Sequence, residues 1–103
     1  MGKIKTFYYI YIVPQNNIPP DDITKKMNLC LDWFRFNMTS WVVYSTLDLN
    51  KLYARFEDLV KPEGNILIIK MNPNEGVGYM KKSFWEWVKK NRSADITNPN
   101  RED

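Results

Sequence analysis

Hydrophobic and polar positions divide this chain into seven short segments. Over residues 6–13, Phe7, Tyr9, Tyr11 and Val13 alternate with Tyr8, Ile10 and Ile12. A period of two in β-branched and aromatic residues predicts a strand, and apolar side chains on both faces predict a central one. PQNNIPP (14–20) reads as a loop, and Asp21 or Asp22 as the cap of a helix that ends near Asp32. Ile23, Met27, Cys30 and Leu31 make its apolar stripe, with Lys25, Lys26 and Asn28 facing out. Residues 33–36 and 40–46 predict a hairpin of two strands around a turn at 37–39. Asp48 caps a helix over 49–60 whose stripe is Leu49, Leu52, Phe56, Leu59 and Val60. KPEGN (61–65) stops it. Residues 66–71 are nearly all apolar, which predicts a strand buried on both faces. PNEGVG (73–78) is a turn region. Residues 79–90 predict a last helix with Met80, Phe84, Trp87 and Val88 inside and Trp85 off the stripe.

The order strand, helix, strand, strand, helix, strand is the split βαβ pattern. Right-handed crossovers then put both main helices on one face of a four-stranded antiparallel sheet ordered 4-1-3-2. The expected fold class is α+β, a ferredoxin-like βαββαβ sandwich with an additional C-terminal helix. It fills one domain over 1–91, followed by a polar, flexible tail over 92–103.

Composition narrows the function. At 103 residues the chain has room for one modest core, and its 15% aromatic content supplies bulky filling for it. No apolar run is long enough to span a membrane. Lys3, Lys5 and TFYYIYIV superficially resemble a signal peptide, but the run is short and β-rich and Pro14 and Gln15 follow it. One cysteine, Cys30, forms no internal disulfide, which fits a reducing, cytoplasmic setting. Histidine is absent, so the commonest general base and metal ligand are missing. The net charge of +3 permits weak attraction to nucleic acid without requiring it.

Three places carry a resemblance: the tyrosine-rich first strand, WFRFNMTSWVVYST, and GNILIIKMN followed by GYMKKSFWEWVKK. Over about residues 6–90 the chain resembles a divergent member of the Cas-two-like superfamily. These are small ferredoxin-like proteins related to the CRISPR adaptation subunit, to VapD-type toxins and to SinR-like proteins. The resemblance implies a homodimer packed through sheet faces, in a phage, mobile-element or bacterial defence or toxin context. Nuclease-active relatives carry an aspartate at the end of the first strand. Here that place reads Ile12-Val13-Pro14-Gln15-Asn16, with no carboxylate before Asp21. A hard divalent cation wants charged oxygen ligands, so the nuclease site does not carry over.

Candidate sites are few. Asp21 and Asp22 could bind a metal at a helix start; the plainer role is a helix cap. Lys81, Lys82, Lys89, Lys90 and Arg92, with Trp85 nearby, could follow a phosphate backbone and stack a base; the plainer role is a solvated helix face. Tyr8, Tyr9, Tyr11, Trp33, Phe34, Phe36 and Trp41 could form an aromatic platform for RNA; the plainer role is core and dimer interface, with Tyr8, Tyr9 and Tyr11 at that interface. Arg35 is the exposed cation among those aromatics. Cys30 lacks a base to activate it and sits on a buried stripe. Ser45 and Thr46 also lack a base. Gly76 and Gly78 lack the spacing and the lysine-serine pair of a phosphate loop. The expectation is a non-enzymatic homodimer with no cofactor and no metal, acting by binding to itself, another protein or nucleic acid. The alternatives are a nucleic-acid-binding dimer and a metal-dependent nuclease drawing on Asp21, Asp22 or Asp48.

Overall fold

A computed structural model describes residues 4–95, with side chains described through Asn91. The elements are strand β1 (Thr6–Val13), helix α1 (Pro20–Met27), strands β2 (Asp32–Arg35) and β3 (Ser40–Ser45), helix α2 (Leu49–Val60), strand β4 (Asn65–Met71), a 3-10 turn (Pro73–Glu75) and helix α3 (Lys82–Asp95). The chain divides into two compact units, Met1–Met71 and Asn72–Asp103. The residues expected to form one domain, 1–91, thus divide after β4.

The first unit is α+β. Its sheet is antiparallel in every pairing and runs β2-β3-β1-β4, with β1 between β3 and β4. This arrangement is compatible with a ferredoxin-like fold. Register sorts the side chains. Tyr8, Ile10 and Ile12 of β1 and Trp41 and Val43 of β3 join Ile23, Met27, Leu52, Phe56, Leu59 and Val60 in one buried cluster. Each of these helix positions follows the three-and-four spacing that places one stripe on a core.

Helix α2 has the expected bounds. Asp48 accepts the Lys51 amide at 2.8 Å and so satisfies a first-turn donor. Helix α1 is shorter than expected. Pro19 occupies its cap position, and Asp21 and Asp22 lie in the first turn without capping it. The helix tightens into a turn after Met27, where the Cys30 amide donates to the Met27 carbonyl at 2.9 Å. Leu31 is therefore off the stripe and exposed, and its amide is taken by the Tyr44 carbonyl.

Gly64 joins α2 to β4 where no side chain fits. A Cβ there would overlap the Val13 carbonyl oxygen and lie 2.9 Å from both the Gln15 nitrogen and the Val60 oxygen. Beside it, the Gln15 amide donates to the Leu59 carbonyl at 2.9 Å, tying the end of β1 to the end of α2.

In the second unit α3 begins three residues later than expected, leaving Tyr79, Met80 and Lys81 exposed ahead of it. It also runs further, through Asp95. Phe84, Trp87, Val88 and Asn91 are its buried positions, and Asn91 donates to the Trp87 carbonyl at 3.1 Å. The expected tail, 92–103, begins inside this helix, and 96–103 lies outside the described residues.

Candidate functional site: an apolar strip on the sheet

Each strand presents alternate residues to the two sides of the sheet. The side away from α1 and α2 carries Phe7, Tyr9 and Tyr11 of β1, Val42 and Tyr44 of β3, Phe34 of β2, and Leu67, Ile69 and Met71 of β4. Phe7, Val42 and Tyr44 are buried, and the Phe7 and Tyr44 rings stand 4.7 Å apart. The β1–β4 end differs. Tyr11 is 37% exposed, Leu67 53% and Ile69 48%. Tyr11 lies opposite Leu67 and Tyr9 opposite Ile69, so these side chains form one continuous strip. The Tyr9 hydroxyl and the Ser40 hydroxyl share a 3.0 Å hydrogen bond, which fixes that ring at the strip's inner border.

β4 is thus the largest departure from expectation. Its apolar run predicted burial on both faces, yet it lies at a sheet edge with only Ile66 and Ile68 packed against the core. Continuous apolarity normally signals two covered faces. Here it marks one covered face and one exposed face.

The tyrosines expected to act together are divided by the pleat. Tyr9 and Tyr11 belong to the strip. Tyr8 points into the helix-facing core, where its hydroxyl donates to the Leu47 carbonyl at 2.7 Å and burial pushes its pKa up. It offers no surface to a partner. Arg35 and Trp33 also lie on the helix-facing side of the sheet, opposite Trp41 and Val43. The Arg35 guanidinium sits 4.6 Å from the centre of the Trp41 ring and donates to the Asn37 and Met38 carbonyls at 2.9 and 3.3 Å. It therefore braces the β2–β3 turn and is not part of the Tyr9–Tyr11 surface. The Trp33 indole donates to Asn28 at 2.8 Å.

On α3, Lys82, Trp85, Glu86 and Lys89 follow one another at helical spacing along an exposed side, and Trp85 is 38% exposed. Lys82 and Glu86 pair at 3.8 Å. Lys81 precedes the helix, and Lys90 is also exposed.

Cys30 is buried, and that burial pushes its thiol up; Arg55, which donates to its sulfur at 3.5 Å, offsets this in part. A neutral, enclosed thiol is a poor nucleophile. Among the described residues no group of three or more His, Cys, Asp or Glu side chains is placed to hold a metal ion, and no helix is long and apolar enough to cross a membrane. Comparison with protein-family models, with curated proteins and with solved structures finds no match.

Proposed function

We propose that this chain is a small non-catalytic binding module that works as a homodimer, and that the Tyr9–Tyr11–Leu67–Ile69 strip is its contact surface. The observation carrying this reading is that three large apolar side chains stand exposed next to one another on a rigid sheet. Scattered apolar residues are ordinary on a surface, whereas contiguous ones mark interaction sites. The same reading takes the architecture as ferredoxin-like, with α3 as its additional helix, and keeps the Cas-two-like resemblance as the evolutionary relation to test. In that relation the homodimeric binding role is kept and the metal-dependent chemistry is not, because the first strand ends without a carboxylate.

Light scattering tests the reading directly. The wild-type protein is expected at twice the monomer mass, and Leu67→Glu at the monomer mass, melting cooperatively like wild type diluted below its dimer dissociation constant. A wild-type monomer at all concentrations would refute the homodimer.

A second reading has one observation in its favour. The half-exposed Trp85 shares a helix side with Lys82 and Lys89, a pairing of ring and cations suited to single-stranded nucleic acid. Adding mixed nucleic acid to the scattering experiment tests it. A mass shift at low salt that vanishes at moderate salt supports phosphate contacts, and no shift at low salt removes the reading.

A further inference from the structure

The strip accounts for the side chains of β4 but not for its backbone. Among the described residues β4 pairs only with β1, so its second edge carries a row of main-chain donors and acceptors. The edge is seven residues long and contains four aliphatic residues in succession, Ile66–Ile69, with no proline. Natural sheet edges are usually kept short, broken or charged because an unpaired edge templates pairing with another strand. The opposite edge, β2, follows that rule: it has four residues, begins at Asp32 and ends at Arg35. In β4 only Lys70 is charged, and it lies outside the aliphatic run.

We infer that the homodimer forms by antiparallel pairing of β4 with β4 of a second copy, so that two four-stranded sheets join into one of eight strands. This inference rests on the homodimer reading above. A second copy is the occupant because the edge is self-complementary. Residues directly opposite in an antiparallel pair must point to the same side of the sheet, which restricts a two-fold arrangement to registers centred on one residue. Centring on Ile68 places Leu67 opposite the partner's Ile69 and, by symmetry, Ile69 opposite the partner's Leu67. The exposed strip then runs on across the joint into its own image. On the other side Ile68 meets the partner's Ile68, beside the two cores. The alternative pairing, β4 on the partner's β2, is head-to-tail: it matches seven residues with four and leaves a free edge at each end, so it propagates instead of closing.

Cross-linking distinguishes this geometry from sheets packed face to face. In a Cys30→Ala background, Ile68→Cys places a thiol on the two-fold axis of the edge-paired dimer, where opposite Cβ atoms stand about 4.5–5.5 Å apart. Tyr11→Cys places one on the exposed face, three strand spacings of about 4.8 Å from its symmetry mate. Edge pairing predicts linkage by a short bis-maleimide for Ile68→Cys and none for Tyr11→Cys. Linkage at Tyr11→Cys alone would overturn edge pairing and leave the homodimer intact, because Ile68 faces the helices and cannot meet a partner packed on the other side. A monomer mass throughout would overturn both. Hydrogen exchange on the unsubstituted protein gives an independent readout. The β4 amides that face away from β1 should slow by about 15-fold at a total concentration about 100 times the dimer dissociation constant, where roughly one protomer in fifteen is still free. If they exchange at one rate across that concentration range while the mass doubles, edge pairing is overturned.

Discussion

Trp41 offers the sharpest test of the core. Its side chain is 1% exposed, and its ring meets Trp33 edge-on at 4.9 Å and lies beneath Arg35 at 4.6 Å. Truncating a buried tryptophan to alanine costs about 3–5 kcal/mol. The aromatic pair contributes about 0.5–1.5 kcal/mol beyond burial, and a guanidinium over the ring about 0.5–1 kcal/mol where it is exposed. These contributions overlap, so about 5 kcal/mol is expected for Trp41→Ala, a large share of the roughly 5–15 kcal/mol that holds a domain folded. Trp41→Phe should behave differently. It keeps a ring for both contacts and removes an indole N–H that is buried without a hydrogen-bond partner among the described residues. An unsatisfied buried donor costs about 1–3 kcal/mol, and its loss offsets part of the cavity left by the smaller ring. Urea denaturation separates the two variants. With a slope of about 1–3 kcal/mol per molar, Trp41→Ala should move the midpoint by roughly 2 M or abolish the folded baseline, while Trp41→Phe keeps most of it. An alanine variant within about 1 kcal/mol of wild type, small against the core-truncation range, or a phenylalanine variant as damaged as alanine, would refute this account of the site.

Gly64→Ala should destabilise by more than the usual overpacking cost of about 1–3 kcal/mol, because all three atoms its Cβ would meet are backbone and cannot swing aside. The check is a thermal melt, where each kcal/mol is worth about 4–8 °C, and an unchanged melt would contradict it. Stability should also fall in alkali. Burial raises the pKa of both the Cys30 thiol and the Tyr8 hydroxyl, so each holds its proton more tightly in the fold than in the unfolded chain. Their contribution is complete below the unfolded values, about 8.5 for cysteine and 10 for tyrosine, and is lost as pH climbs through the folded ones. Urea midpoints should decline from about pH 8.5 upward, and Cys30→Ala should flatten the first part of that decline. A wild-type profile flat to about pH 10 would count against the Cys30 burial, whereas the Tyr8 contribution declines only above that.

Much of the fold is written in local signals. Asp48, the Leu52–Phe56–Leu59–Val60 stripe and the proline and glycine after it define α2 without reference to anything distant. The alternation in β1 already separates Tyr8 from Tyr9 and Tyr11. What lies beyond that depends on remote partners. An apolar run such as Ile66–Ile69 states that its residues can be buried but not how many faces the fold covers. That Leu67 stands beside Tyr11 follows from strand register, which brings together residues from opposite ends of the first unit. Boundaries fail for a different reason. Leu31 fits the α1 stripe by spacing, yet the helix has already turned off at Met27. Asn91 completes the Phe84–Trp87–Val88 stripe of α3, but as a polar residue it reads as lying just past a helix that ends at Lys90.

The pairing of β1 with β4 also dictates an order of events during synthesis. Phe7 leaves the ribosome well before its neighbour Met71. Chains are made at about 5–20 residues per second, so the first strand spends seconds with one flank bare. β3 can shelter the other flank earlier, since Tyr11 pairs with Ser40. Until β4 emerges, the edge of β1 that carries Ile10 and Ile12 stands unpaired, and exposed strand edges of this kind are what chaperones shield.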